Sequence, residues 1–334
     1  MSEPARAPAW RRWLSRWGMR LLGLLLLVAL LARLDAGAVY EAMRRADLRL
    51  ILLAILLDVP LIFLKTLRWQ GILRAQAIDM PVWPAFLAYF GSLFIGFLTP
   101  GRLGEFVKAV HVTQDCGASS GQAFASVLAD RLFDLYALVL VGGAALLALS
   151  TEGAPALALV GLVVALTAPL ALFLHPRAFG WLQRQAGRLG GLAARLFAEG
   201  GWLAEMRAGI TQLRWPTMLT AVVLTALAYA LFFGQCYLLA LALGLPVSYV
   251  TVSYAVALGS LVTLIPISIS GLGTREVMMI AYLGAAGIAP EPALTFSLLV
   301  FATFYLAGGL MGAVAWWFKP VNLKRAEAFD PADH

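Results

Sequence analysis

Charged side chains inside long apolar segments are the residues of this sequence that could do chemistry. Arg102, Glu105 and Lys108 lie at one Pro/Gly-rich interruption, and Arg275 and Glu276 lie at another. An ionisable group at the centre of a membrane helix costs roughly 2.5–3.5 kcal/mol on insertion scales, so each needs a partner, water or a function. An arginine beside the free N–H groups of a helix start suits a phosphate. At each interruption a local Arg–Glu pair that closes the turn is the alternative.

Glycines accompany the charges at both interruptions. A glycine lets the backbone turn tightly and approach a ligand closely. We therefore count four of them with the arginines as candidate headgroup-binding residues: Gly101, Gly104, Gly271 and Gly273.

Further charged residues lie in segments that are apolar without interruption. Asp130 and Asp134 are four residues apart and hence on one helical face, whose other positions are mostly small or polar and so favour packing inward. Arg131 lies about 100° around the same helix and could reach the cytoplasmic interface or a phosphate. A structural ion pair of one aspartate with Arg131 or Arg102 is the alternative to proton coupling. For Asp58, in another segment, functional and structural roles are both open.

The remaining polar residues are interpreted as structural. Lys65 and Arg68 close an apolar helix, where such side chains commonly extend to the membrane interface as anchors. Cys116 and Cys236 lie far apart, and the three histidines are scattered. Neither a disulfide framework nor a metal centre is supported by these spacings, and no cofactor is expected.

Membrane helices are the elements that must position these charges. The chain has 334 residues, of which 61% are apolar and 13% charged, whereas soluble domains are near 45–50% apolar and about 25% charged. A membrane helix needs roughly 20 mainly apolar residues. Six stretches qualify, namely 17–34, 48–67, 121–149, 154–174, 216–244 and 291–318. The sequence therefore predicts an all-α polytopic membrane protein, with 1–334 as a single membrane domain.

Two further apolar stretches, 84–112 and 249–287, are broken by Pro and Gly and predict re-entrant or discontinuous helix pairs. Both open with Gly-Ser-Leu, pass through a proline and continue through Leu-Gly to the glutamate that begins another apolar helix. Three predicted crossings separate the starts of the two units, so the second unit would enter the bilayer upside down. This pattern predicts an inverted repeat, in which paired broken helices mark a binding site near the membrane midplane.

Basic residues set the predicted orientation. The net charge of +7 arises mainly from Lys and Arg near the ends of apolar segments, a pattern that indicates topology rather than nucleic-acid binding. Six crossings that start in the cytoplasm place the basic segments inside, so both termini are predicted to be cytoplasmic. An amphipathic stretch in the basic connection is expected to lie on the cytoplasmic interface. The predicted parts are an N-terminal arm with the first helix, a first half, the cytoplasmic connection, a second half and a tail, at 1–47, 48–174, 175–215, 216–318 and 319–334.

Four motifs in order resemble the lysylphosphatidylglycerol synthase transmembrane-region family, also called the flippase-like domain family. They are Lys65–Trp69, Thr99–Glu105, Asp130–Asp134 and Gly271–Glu276, and the resemblance covers roughly 45–318. The family pattern usually starts the third motif with Glu-Arg, whereas Asp130 keeps the charge here. The resemblance implies a protein that moves or handles lipids. Only 319–334 follow the last predicted helix, so the aminoacyl-transfer domain of the fused family members is not expected, nor is synthase activity.

The first functional hypothesis is a flippase that moves an anionic phospholipid, glycolipid or polyprenyl-linked lipid across a bacterial inner membrane. Its headgroup-binding residues would be Arg102, Arg131 and Arg275 with the four glycines. Its charge-relay or counter-ion residues would be Asp58, Glu105, Asp130, Asp134 and Glu276.

Two other classes of function remain as alternatives. A lipid enzyme would need a nucleophile, a metal cluster or an acid–base pair, and the sequence offers only carboxylates and arginines, so no enzymatic activity is expected. An accessory subunit could instead hold lipid for a biosynthetic enzyme. A second copy of the chain or such an enzyme is the expected protein partner.

Overall fold

The computed structural model describes residues 36–149, 154–263 and 271–321. Within these ranges the regular structure is helical, without strands, which confirms the predicted all-α fold class. In chain order the α-helices are α1 Ala36–Arg45, α2 Leu48–Leu56, α3 Asp58–Ala75, α4 Val82–Leu98, α5 Val107–Cys116, α6 Ser120–Leu149, α7 Ala154–Leu174, α8 Pro176–Leu189, α9 Gly191–Phe197, α10 Trp202–Thr211, α11 Trp215–Ala242, α12 Tyr249–Val262, α13 Thr274–Ala285, α14 Pro290–Phe301 and α15 Gly308–Phe318. The predicted first helix at 17–34 and most of the tail lie outside the described residues.

Four helical segments are long and apolar enough to cross a membrane, namely Leu48–Ala75, Ser120–Leu149, Trp215–Ala242 and Pro290–Phe318. A fifth candidate is the pair Leu159–Leu174 and Pro176–Leu189, bent by 73°. The chain is therefore a multi-pass membrane protein. The count of six crossings and the cytoplasmic placement of both termini stay predictions.

Two of these segments contain local breaks. α2 and α3 meet at Leu57, because Pro60 lacks the N–H that would bond the carbonyl of Leu56. α14 and α15 are joined by a π-helical segment, Ala302–Ala307. Such insertions are frequent at functional sites.

The first predicted broken segment is a helix followed by a short 3₁₀-helix, Pro100–Phe106, which we call the first return. α4 ends at Leu98, and α5 follows the first return. Arg102 has φ +58°, a left-handed conformation that is uncommon for a residue with a side chain. A Cβ on Gly104 would lie 2.5 Å from the carbonyl oxygen of Ile95, so the return packs directly on α4.

The second broken segment has the same plan in its described parts. α12 ends at Val262 and α13 begins at Thr274, while 264–270 lie outside the described residues. Gly271 and Gly273 have φ of +76° and +84°, and Glu276 accepts a hydrogen bond from the N–H of Gly273 at 2.6 Å. Glycine is required here because side-chain-bearing residues rarely adopt these angles.

The two halves pack on each other reciprocally. α4 of the first broken segment packs on α15, which follows the second, and α12 of the second packs on α6, which follows the first. α3 and α11, the helices that precede the two segments, also pack together. Small residues make the approach close, since a Cβ on Gly312 would lie 2.7 Å from the carbonyl oxygen of Phe90. This exchange of partners is what two repeats related by a two-fold axis require, although the inverted orientation in the membrane stays a prediction.

The connection 175–215 forms α8, α9 and α10. In α8, Phe179 and Ala186 are buried, whereas Arg184 and Arg188 are exposed. Leu189, on the apolar face opposite these arginines, is 82% exposed, and the placement of this stretch on the cytoplasmic interface stays a prediction. α10 packs on α6 and ties the connection to the helical core.

Candidate functional site

A cavity of about 330 Å³ lies between the two halves and brings both broken segments together. Its ionisable wall is formed by α3, the first return, α6 and α13, through Asp58, Lys65, Arg102, Glu105, Arg131, Asp134 and Arg275. Its remaining wall is mainly apolar and includes Leu93, Phe97, Leu135, Leu138, Phe232, Met279 and Phe304. A pocket of this kind, mainly apolar with a few convergent polar groups, is typical of small-molecule sites.

Glu105 is the centre of the charged contacts at the first return. Its side chain is 1% exposed, and its carboxylate contacts the guanidinium of Arg131 and lies 3.5 Å from Nε of Arg102. The local Arg102–Glu105 pair considered from the sequence is therefore present, and Arg131 joins it from α6. An anionic ligand at Arg102 would have to share these cations with Glu105.

In the second broken segment, Arg275 is also paired with a glutamate. Its guanidinium contacts Glu276, and its Nε donates to the hydroxyl of Ser297 at 3.3 Å. Both charged residues are buried. The local Arg–Glu pair considered from the sequence is present here too, and Arg275 lines the cavity while Glu276 lies behind it.

The ring of Tyr305 contacts an arginine from each of the two broken segments. Its ring centroid lies 5.2 Å from the guanidinium carbon of Arg102 and 5.4 Å from that of Arg275. The ring also stacks on Phe301 at 5.0 Å between centroids. Cation–π attraction within about 6 Å holds each guanidinium over an aromatic face. The sequence carries no signal for Tyr305, because its position depends on the π segment and on the packing of both halves.

Three arginines on the cavity wall have buried N–H groups that make no hydrogen bond within the part of the chain that the structure describes. They are Nε of Arg102, Nε of Arg131 and Nη1 of Arg275. A buried polar group without a partner loses its hydration uncompensated, and the loss is larger for a charged group. Both carboxylate oxygens of Glu105, which contacts Arg102 and Arg131, also make no well-formed hydrogen bond, so an anionic oxygen in the cavity would compete with Glu105 for these two arginines.

Asp130 and Asp134 belong to an ion cluster beside the cavity. Arg68 Nε donates to Asp130 at 2.8 Å, and its Nη1 donates to Asp134 at 2.9 Å. Lys108 Nζ donates to Asp130 at 2.5 Å, and Lys65 Nζ donates to Asp134 at 3.0 Å. Asp134 lines the cavity, whereas Asp130 has no exposed surface.

This cluster corrects two sequence interpretations. Lys65 and Arg68 are not interface anchors, because the Arg68 side chain has no exposed surface and that of Lys65 is 17% exposed. The alternative of a structural ion pair is present, but its cations are Lys65, Arg68 and Lys108 of α3 and α5 in place of Arg131 or Arg102. A Lys/Arg pair at a helix end has the same sequence pattern whether it reaches the interface or a buried carboxylate.

Asp58 differs from the other carboxylates. It is 3% exposed, and its Oδ1 accepts a hydrogen bond from Gln235 Nε2 at 3.0 Å. Its Oδ2 is buried and has no hydrogen-bond partner among the described residues. Asp58 therefore places on the cavity wall a carboxylate oxygen that no cation contacts within the described residues.

The predicted glycines support the fold of the breaks. Gly104 packs on α4, and a Cβ on Gly271 would collide with Thr263. Gly104, Gly271 and Gly273 are not among the described residues that line the cavity. Gly101 lies in the 3₁₀-helix beside Arg102. Headgroup binding by these glycines stays a prediction.

No set of three His, Cys, Asp or Glu side chains in the described ranges could hold a metal ion. The expectation that the protein needs no cofactor is not tested by this observation.

Comparison with known proteins gives one family and several archaeal relatives. Residues 18–312 match the family described as the lysylphosphatidylglycerol synthase TM region. A UPF0104 membrane protein of Methanothermobacter thermautotrophicus is 26% identical over 290 residues, which cover 81% of this chain and 85% of the relative. A second from that organism is 26% identical over 306 residues, covering 84% and 86%. One from Pyrococcus horikoshii is 31% identical over 122 residues, covering 36% of each chain.

Proposed function

The chain belongs to the lysylphosphatidylglycerol synthase transmembrane-region family, and we propose that it is a lipid flippase that moves an anionic lipid headgroup across a membrane through the central cavity. It acts as a transporter and not as an enzyme. We propose the bacterial inner membrane as its location, although the relatives named above are archaeal.

The observation that carries the proposal is the convergence of three arginines on one cavity. Arg102, Arg131 and Arg275 come from three separate elements, and each has a buried N–H group that makes no hydrogen bond within the described residues. Guanidinium groups bind phosphate oxygens with short charge-assisted hydrogen bonds. The apolar part of the wall suits the glycerol and first acyl carbons that follow a lipid phosphate.

Counter-ions keep this site from binding too tightly. Glu105 contacts two of the arginines and Glu276 contacts the third. These pairs hold the guanidinium groups in place when no lipid is bound and compete with a phosphate for them. A transporter needs such competition, because a substrate that binds too strongly is not released.

Both halves of the protein contribute to the cavity, so relative motion changes access to it. Arg102 and Arg275 lie in the two corresponding broken segments, and both guanidinium groups are within 5.4 Å of the Tyr305 ring centroid. Rocking of one half against the other would separate or close this contact while the headgroup remains near the same arginines. Alternating access around a fixed site is the general behaviour of repeat-built transporters.

The test is lipid translocation in proteoliposomes that contain a labelled phosphatidylglycerol or, separately, a labelled neutral glycolipid. Charge-assisted hydrogen bonds contribute about 1.5–3 kcal/mol. We therefore expect Arg102→Ala and Arg275→Ala to slow phosphatidylglycerol translocation roughly 10- to 150-fold. Arg74→Ala removes an exposed arginine at the end of α3 and serves as the matched control.

The proposal fails if wild type translocates no lipid, or if both variants match wild type and the control. An accessory subunit would give the first result while still binding labelled lipid in detergent. In that case a biosynthetic enzyme that copurifies with wild type would also copurify with the arginine variants.

A further inference from the structure

Asp58 lies at a break in a membrane-spanning segment. It is the first residue of α3, next to the interruption at Leu57. Gln235 of α11 spans this break, since its Nε2 donates to Oδ1 of Asp58 at 3.0 Å and to the carbonyl of Ala54 at 2.8 Å. Both amide hydrogens of Gln235 are thereby used. The other carboxylate oxygen of Asp58, Oδ2, lies beside α15, where a Cβ on Gly308 would be 3.4 Å from it.

Asp58 is the carboxylate on the cavity wall that has no cation. Glu105 contacts Arg131, and Asp134 contacts Lys65. In the described ranges no Lys, Arg or His nitrogen lies within ion-pair distance of Asp58. An ionised carboxylate that is buried with a single hydrogen-bond donor is costly, and a proton removes that charge.

No charged group around Asp58 in the described ranges is placed to neutralise its carboxylate in place of a proton. The titratable or charged residues that line the cavity together with Asp58 are Lys65, Tyr89, Arg102, Glu105, Arg131, Asp134, Tyr229, Arg275 and Tyr305, and Cys236 lies next to Gln235 on α11. On its own helix Asp58 is followed by Arg68, which pairs with Asp130 and Asp134, and by the exposed Arg74. The cations that line the cavity are already paired: Lys65 with Asp134, Arg102 and Arg131 with Glu105, and Arg275 with Glu276. Cys236 and the tyrosines are uncharged in their ordinary protonated forms.

We propose that Asp58 is the proton-binding site of this protein and that the proton on Oδ2 crosses the membrane together with the anionic lipid. The inference rests on the proposed function and adds its coupling ion. When the arginines hold a headgroup with one negative charge, the proton on Asp58 cancels that charge. The loaded cavity then carries the same net charge as the empty cavity with Asp58 ionised.

The position of Asp58 explains how proton binding and movement of the halves are linked. Its contacts run from α3 of the first half to α11 and α15 of the second. A neutral carboxyl group tolerates this buried position, whereas an ionised one is stabilised by contact with water. Protonation therefore favours the closed interface, and release of the proton favours an opening that admits water.

The transport test compares wild type, Asp58→Asn and Asp79→Asn with labelled phosphatidylglycerol. Asp79 is exposed in the connection between α3 and α4, so Asp79→Asn makes the same chemical change away from the cavity. Each protein is given either a pH gradient or a valinomycin-induced potassium diffusion potential. If one proton moves with each lipid, one pH unit shifts the lipid distribution by up to about tenfold.

Wild type and Asp79→Asn are expected to respond to the pH gradient and not to the voltage, because the transported pair is neutral. Asp58→Asn is expected to lose the pH response and to gain a voltage response, because the lipid then crosses with its negative charge. A pH response retained in Asp58→Asn would overturn the proposal. So would wild-type transport that follows a sodium gradient in place of the pH gradient.

A second measurement needs neither transport nor a folded variant. Dicyclohexylcarbodiimide reacts with protonated carboxyl groups in apolar surroundings, and peptide mass spectrometry locates the adduct. We expect an adduct on Asp58 of wild type at neutral pH that disappears at high pH. Wild type without lipid translocation but with this adduct would refute the flippase and retain the proton site. Absence of the adduct at every pH would refute the proton site.

Discussion

Asp130→Asn is expected to destabilise the protein strongly, because Asp130 holds two buried cations. Lys108 Nζ and Arg68 Nε both donate to it, and the Lys108 and Arg68 side chains have no exposed surface. Asparagine keeps the shape of the side chain, so no cavity forms. Arg68 still contacts Asp134 after the substitution, but Lys108 loses its one carboxylate partner among the described residues.

The magnitude follows from the cost of leaving a buried charge without its partner, about 3–5 kcal/mol. With about 2 °C per kcal/mol for a large chain, the apparent melting temperature should fall by about 6–10 °C. Lys108→Met should be much milder, by about 1 kcal/mol or less, because Asp130 keeps Arg68 and the hydroxyl of Tyr89 at 3.0 Å. The double variant should recover at least half of the loss caused by Asp130→Asn.

The assay is the fraction of purified protein that remains monodisperse in mild detergent after heating. Unfolding of a membrane protein is commonly irreversible, so the variants are compared at one heating time. The reasoning is refuted if Lys108→Met lowers the midpoint as much as Asp130→Asn. It is also refuted if the double variant is less stable than Asp130→Asn alone, since removal of the stranded cation should help.

Four further outcomes are expected. Tyr305→Leu removes two cation–π contacts of roughly 0.5–1 kcal/mol each and should slow lipid translocation about 5- to 30-fold, whereas Tyr305→Phe should retain most of the rate. Glu105→Gln should strengthen retention of an anionic lipid in native mass spectra and slow its translocation, because a competing carboxylate is lost; weaker retention would contradict this. Gly104→Ala should lower the apparent melting temperature, since its Cβ would lie 2.5 Å from a backbone oxygen, while Gly71→Ala, with no atom within 4 Å, should be neutral or stabilising. A cysteine at Glu199, in a background without the two native cysteines, should react with an impermeant maleimide only from the cytoplasmic side, and labelling from the outer side would overturn the predicted orientation.

Several features of this protein follow from the sequence alone. Runs of about 20 apolar residues can bury their backbone polar groups in a bilayer only as helices, so the fold class was predictable. Pro and Gly located both breaks, because the first removes a helical hydrogen bond and the second permits left-handed angles. Charges inside such segments are costly, and this cost identified Arg102, Arg131 and Arg275 as candidate residues before their positions were known.

The partners of these charges were decided by the tertiary structure. Helical periodicity places Asp130 and Asp134 on one face, but it does not say which helix packs there. The packing of α3 and α5 beside α6 pairs the two aspartates with Lys65, Arg68 and Lys108, whereas the sequence offered Arg131 or Arg102 as the alternative partners.

Tyr305 and Asp58 show the same limit of sequence reasoning. The role of Tyr305 arises only where two arginines from opposite halves approach one ring. Asp58 is one of several carboxylates in the sequence. Its lack of an ion-pair partner becomes visible only when the structure shows which cations the other carboxylates contact. The energy of a charge inside a membrane depends on what lies within a few ångströms, and for residues far apart along the chain that distance is set by helix packing.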